Sequence, residues 1–180
     1  KYNSFISNYE RELEDAFRNF KNSGITDLIL DLRYNSGGES EMAKLICSAI
    51  APQSVANENN ILSYEKWNAK QQKVFESNSQ YSGYIRTNFR QLDYNLDLSR
   101  VYVLTSYQSA SASEYVIVTL QPYMEVIHVG ETTAGKYTSM VLFEGKEWDE
   151  DINNWMLLPV VSKYSNKDGF TDFKDGLTPD

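Results

Sequence analysis

Apolar side chains recur at Ile6, Tyr9, Leu13, Ala16, Phe17 and Phe20, the spacing of one helical face, and predict an amphipathic helix. Ser7 and Glu10 match an S-x-x-E capping box ahead of it, and Asn22-Ser23-Gly24 gives it a stop. The run Asp27-Leu28-Ile29-Leu30-Asp31-Leu32-Arg33 then has strand length and ends abruptly in Tyr34-Asn35-Ser36-Gly37-Gly38. A second helix follows, with Met42, Leu45, Ile46, Ala49 and Ile50 on one face and Pro52 closing it. This succession is helix, strand, glycine turn, helix.

Between about 53 and 98 the chain is rich in Asn, Gln, Ser and Tyr and has no sustained period, which predicts an insertion or lid. Asn60 to Tyr64 suits a strand there, and Tyr64 to Phe75 a short helix. Regular signals return with Arg100 to Thr105 as a buried strand, a helix at about 110–121 opened by a Ser/Ala segment, and Met124 to Val129 as the next strand. Trp155 to Val161 predicts one more strand, and Lys163 to Asp180 a polar tail. Two strand–turn–helix units with Val/Ile/Leu-rich strands point to an α/β layered domain with largely parallel pairing. Both ends look cut, so the 180 residues read as one domain taken from a longer protein.

Charge and composition narrow the function classes. Lys and Arg number 17 against 25 Asp and Glu, a formal net charge of −8. Such a surface is unsuited to phosphate backbones, which excludes nucleic acid as the expected partner. No apolar run reaches the roughly 18 to 20 residues of a membrane span. One cysteine, Cys47, excludes a disulfide within the chain, and one histidine, His128, excludes sites needing two imidazoles. Catalysis would therefore rest on Lys, Ser, carboxylates and backbone amides.

Three segments offer that chemistry. Ser109-Ala110-Ser111-Ala112-Ser113-Glu114 lies between a buried strand and a helix, where unpaired amides and the macrodipole favour developing negative charge. Serine there is also an ordinary N-cap, with Glu114 supplying first-turn charge. Gly130-Glu131-Thr132-Thr133-Ala134-Gly135-Lys136 brings a lysine 25 positions after Ser111. A lysine titrates near 10.4, so one acting as a base at neutral pH has to be desolvated until it titrates at roughly 7 to 8. A surface lysine on a glycine turn fits the same segment. Its near match to a phosphate-binding loop fails at Tyr137, where Ser or Thr would hold magnesium. Asn35-Ser36-Gly37-Gly38 permits positive φ and close backbone approach, which suits amides aimed at an oxyanion or simply a turn.

In this order, Asp31-Leu32-Arg33-Tyr34-Asn35-Ser36-Gly37-Gly38, Ser109 to Glu114 and Gly130 to Lys136 resemble the three signature blocks of the C-terminal-processing (tail-specific) serine proteases. The likeness spans roughly 25–140, and the tail from Asp168 to Asp180 is similar to that of Bacteroides-type members. The resemblance implies a Clp protease/crotonase-like spiral of β-β-α units, with 1–180 as a single protease-like catalytic domain. It implies Ser111 as nucleophile and Lys136 as general base. The amide of Ala112 and a glycine amide of the Gly37-Gly38 pair would form the oxyanion hole. It implies a polypeptide substrate, no cofactor, and a periplasmic or cell-surface location; oligomeric state is left open. An upstream PDZ-like segment, common in relatives, is not recognisable here.

The sequence departs from the family pattern at Met140, where a lysine-orienting glutamine is usual. It also departs at Ser36 in place of proline, Tyr137 in place of glycine, and Pro122 in place of an acidic residue. Thr138 or Ser139 would then orient the lysine. Met140 keeps open a second reading, a weak or inactive member that binds peptide or another ligand at a cell surface. A crotonase-type acyl-coenzyme A enzyme is a further rival. His128 reads as a packed strand histidine and Cys47 as a small hydrophobe. Tyr64, Tyr81, Tyr84 and Tyr94 fit a peptide groove or scattered half-buried aromatics, and the acidic cluster Glu147 to Asp151 fits a solvated loop.

Overall fold

A computed structural model describes residues 1–147 and 150–180. Helix α1 covers Glu10–Asn22, strand β1 Ile29–Asp31, α2 Ser40–Ile50, β2 Ile61–Trp67, α3 Ala69–Glu76 and β3 Arg86–Asn88. Then come β4 at Arg100–Thr105, α4 at Ala112–Leu120, β5 at Glu125–Gly130, β6 at Thr138–Met140, β7 at Phe143–Glu144, β8 at Met156–Leu157 and β9 at Val160–Asn166. Short 3-10 turns precede α1 at Ser7–Tyr9 and follow α3 at Ser79–Tyr84.

The helix–strand alternation does produce a parallel sheet, in the order β1-β4-β5, with Leu30 opposite Val103 and Val103 opposite His128. Outside that sheet the parallel pairing among the described residues is the isolated bridge of Phe5 with Gly38. The remaining strands form an antiparallel sheet, β3-β2-β9-β6, and a small β7-β8 hairpin. The segment 53–98 contributes β2, which lies inside the antiparallel sheet, and its helix begins only at Ala69 because the Asn68 side chain caps it through the Gln71 N–H at 3.0 Å.

The strand expected over Trp155 to Val161 is split at Pro159, which has no N–H for a ladder. Past it, β9 runs on to Asn166 through residues expected as tail. Alternate side chains Ser162, Tyr164 and Asn166 are buried, so polar residues fill a strand's inner face. The expected capping box at Ser7 and Glu10 does not form. Ser7 instead donates both its N–H and its hydroxyl to the Glu39 carboxylate at 3.0 Å, a charge-assisted pairing, and α1 starts after Tyr9 without a side-chain cap.

Helix α4 touches both sheets and α2, and all nine of its residues are buried. Its apolar residues fill the core, and its polar ones, Ser113, Glu114 and Thr119, are buried with hydrogen-bond partners; burying a side chain such as Ile117 contributes about 1.5–3 kcal/mol. Cys47 on α2 lies in the same core, its Sγ 3.4 Å from Thr119 Oγ1 on α4, and burial pushes its thiol up to about 12. In the native full-length protein Cys47 should therefore escape alkylation at pH 8 and react only after unfolding in urea. Peptide mass mapping checks this, and modification of the folded protein would contradict it.

His128 is packed within β5, its Nε2 2.6 Å from Thr105 Oγ1, and burial lowers its pKa. Tyr94 is buried and donates to Glu14 at 2.8 Å, while Tyr81 and Tyr84 cluster with Phe75 beside Trp67. Within the acidic run Glu147 to Asp151, Trp148 and Asp149 lie outside the described residues. No helix among the described residues is long and apolar enough to cross a membrane.

Candidate active site

The three sequence blocks meet where β1 and β4 end. Of the serines in the second block, two are structural. Ser109 Oγ donates to the Leu32 carbonyl at 2.8 Å and Ser113 Oγ to the Asn35 carbonyl at 2.8 Å, and both are fully buried, which ties this block to the glycine turn. Ser111 is the half-buried one and lines a cavity of about 690 Å³ together with Lys136, Gly38, Ala112, Glu65 and Tyr164.

Ser111 is the N-cap of α4, where it forms a capping box with Glu114, and its φ of +56° and ψ of −112° are a conformation that costs a non-glycine residue about 1–3 kcal/mol. Gly37 makes room for it. A Cβ at Gly37 would fall 2.8 Å from Ser111 Cβ and 3.1 Å from the Ala112 nitrogen, at a φ of +104° that already favours glycine. The Gly37 N–H is engaged by Asn35 Oδ1 at 2.9 Å. The amides of Gly38 and Ala112 donate to no group among the described residues.

Glu114 has no exposed surface, and its four acceptor bonds join two of the blocks. Its Oε2 accepts the backbone N–H of Ser111 and that of Lys136, each at 2.8 Å. Its Oε1 accepts the Gly135 N–H and the Thr133 hydroxyl, each at 2.6 Å. From the opposite side, the Tyr164 hydroxyl on β9 lies 3.2 Å from the carbonyls of both Ser111 and Lys136. Burial holds that phenol well above its usual pKa, so it stays a donor. The C-terminal segment supports the lysine loop: Leu177 N–H donates to Thr133 Oγ1 at 2.8 Å, and Gly176 passes against the Thr133 carbonyl.

The chain belongs to peptidase family S41. The family's sequence profile matches residues 1–180. Among solved structures, a Bacteroides fragilis protein assigned to the S41 proteases is 30% identical, with a TM-score of 0.81 over 99% of this chain and 44% of its own. The photosystem II D1 C-terminal processing protease is 23% identical, with a TM-score of 0.67 over 98% of this chain and 39% of its own. A Parabacteroides merdae protein assigned as a peptidase is 21% identical, with a TM-score of 0.63 over 99% of this chain and 51% of its own. The last two show likeness of fold. The chain thus spans about half or less of the length of these structures. No curated protein matches its sequence.

Met140 lines the same cavity and is 40% exposed, and the Ser139 hydroxyl points instead to Glu65, at 3.1 and 3.2 Å from its two oxygens. Thr138 and Ser139, the two residues expected to orient Lys136, both line the cavity. The tyrosines at the cavity are Tyr115 and Tyr164, not Tyr64, Tyr81, Tyr84 or Tyr94. Sequence reasoning missed Glu65 and Tyr164. Their signal was the alternation Ser63-x-Glu65-x-Trp67 and Ser162-x-Tyr164-x-Asn166, masked because the inward residues are mostly polar.

Proposed function

We propose that this chain is the catalytic unit of a serine endopeptidase working through Ser111 and Lys136. The observation that carries the reading is that both residues line one cavity and share two anchors, Glu114 Oε2 and the Tyr164 hydroxyl. Membership of a peptidase family supports a polypeptide substrate.

The uncharged amine of Lys136 takes the Ser111 proton as Oγ attacks the scissile carbonyl. The amides of Gly38 and Ala112, which have no partner of their own among the described residues, hold the oxyanion, while Gly37 shapes the turn. Lys136, now an ammonium, protonates the leaving amine, then activates the water that hydrolyses the acyl-enzyme. The strained turn at Ser111 supports this role, since such backbone clusters at sites that must present a side chain. Residues 1–180 act as one unit, with β2 of the 53–98 segment lending Glu65 to the cavity wall. The fold is a crotonase-like spiral, and the protein works in the periplasm or at the cell surface.

Met140 in the cavity favours a second reading, a peptide-binding module without turnover. A fluorophosphonate probe separates the two, because only an activated serine displaces fluoride to form a phosphonate ester. In the full-length protein the adduct is expected on the peptide containing Ser111 and is expected to vanish in Lys136→Ala. Proteolysis with the adduct on another residue would overturn the assignment, and peptide binding without any adduct would favour the module.

A further inference from the structure

Alternation along β2 turns Ser63, Glu65 and Trp67 to one face, and the register sets Glu65 opposite Tyr164 and Trp67 opposite Ser162, which in turn faces Ser139 on β6. The Glu65 carboxylate is held there by two hydroxyls: Ser162 donates to Oε2 at 2.6 Å, and Ser139 lies at 3.1 and 3.2 Å from the two oxygens. Burial raises its pKa, against the pull of those hydroxyls and of the nearby Lys44 charge. No ion pair reaches it among the described residues.

The other carboxylates lining the cavity are occupied. Glu41 pairs with Lys44 at 2.6 Å and Arg90 at 2.5 Å. Burial pushes its carboxyl up, but those cations together hold it below the usual range. Glu39 is exposed and accepts from Ser7. Lys136 is the one cation among the described residues lining the cavity, and its backbone is fixed beside Ser111. Lys44 acts on Glu65 only from a distance, its ammonium being paired with Glu41. A fixed, partly desolvated carboxylate with no ion-pair partner of its own among the described residues thus shares the cavity with Met140, Leu142 and Leu158, and suits an incoming side chain with an apolar stem and a positive head.

We propose that Glu65 is a specificity-determining residue, whose carboxylate receives a lysine or arginine side chain of the polypeptide close to the scissile bond. The inference rests on the peptidase reading above and adds the substrate class to it. The net charge of −8 favours the approach of such cationic segments.

The test uses the full-length protein and peptides in which lysine, or uncharged norleucine of similar length, is moved stepwise through the positions flanking the scissile bond. At one position the lysine peptide should exceed the norleucine peptide in kcat/KM by about 10-fold or more, and Glu65→Gln should bring that ratio to about 1. A ratio near 1 at every position in the parent overturns the proposal, as does a Glu65→Gln loss that leaves the ratio intact, which would make Glu65 a positioning group for the sheet or for Lys136. Calorimetric binding of the same peptides to Ser111→Ala, with and without Glu65→Gln, separates recognition from chemistry. A Glu65-dependent preference for lysine in binding without any hydrolysis by the parent would overturn the peptidase reading and keep this one; hydrolysis without preference would do the reverse. A protein that neither binds nor cleaves any of these peptides overturns both.

Discussion

Replacing Lys136 by Ala in the full-length protein is expected to lower hydrolysis of an unfolded polypeptide by about 10⁴-fold or more, and Ser111→Ala by at least as much. The reason is that neither residue works alone. Without the amine nothing removes the hydroxyl proton at the moment of attack, and without the hydroxyl the amine has no nucleophile to activate. The double variant should consequently be no slower than Ser111→Ala, because the second loss removes nothing still in use. Both side chains are half-buried at the cavity, and their backbones are held by Glu114 and Tyr164 rather than by their own side chains. The variants should then keep the parent's near-ultraviolet circular dichroism and its unfolding free energy in urea to within about 1 kcal/mol. Folded variants that cleave at the parental rate would end the Ser–Lys assignment.

Loss of Glu114 should damage folding and rate together. Glu114→Ala leaves three backbone N–H groups and the Thr133 hydroxyl without their acceptor in a buried place. Each such orphan costs about 1–3 kcal/mol. Thr133 retains its bond from Leu177, and water entering the cavity left behind relieves part of the rest, so a net loss of roughly 3–5 kcal/mol is expected from urea unfolding. Glu114→Gln is the sharper probe. It keeps the volume and one acceptor oxygen, but its amide nitrogen meets two donors with a donor. The smaller destabilisation, about 1–3 kcal/mol, should come with a fall in kcat of about 100-fold and little change in KM, since the backbones of Ser111 and Lys136 lose their common anchor. A Gln variant with parental kcat would show that Glu114 supports the core and does not hold the two residues in register.

Much of the scaffold was legible along the chain. The strand at Arg100–Thr105 and the helices α1, α2 and α4 follow from local periods, because each buries a face or a whole girth set by consecutive residues. Among the three signature blocks, residue order alone placed chemistry at strand ends. What could not be separated locally was which serine of Ser109, Ser111 and Ser113 faces outward. All three share one composition, and two are claimed by carbonyls of the first block more than seventy residues away. Gly37 and Gly38 were likewise interchangeable until the Asn35 side chain was seen to take one amide and leave the other.

The antiparallel sheet was the larger omission. Tyr164 and Asn166 look like tail because a polar strand is recognisable only when something polar faces it, and here Glu65, Ser63 and the backbone of the lysine loop do so. Local pattern and residue order are therefore sufficient for helices, the buried parallel strands and the family to which the chain belongs, since these depend on neighbours in sequence. The placing of Ser111 and Lys136 on one cavity, the bridging to Lys136 by Glu114 and Tyr164, and the hydroxyl-held carboxylate of Glu65 depend on contacts between residues 22 to 97 positions apart. Such contacts are selected by the packing of whole layers, and no window of the sequence contains that information.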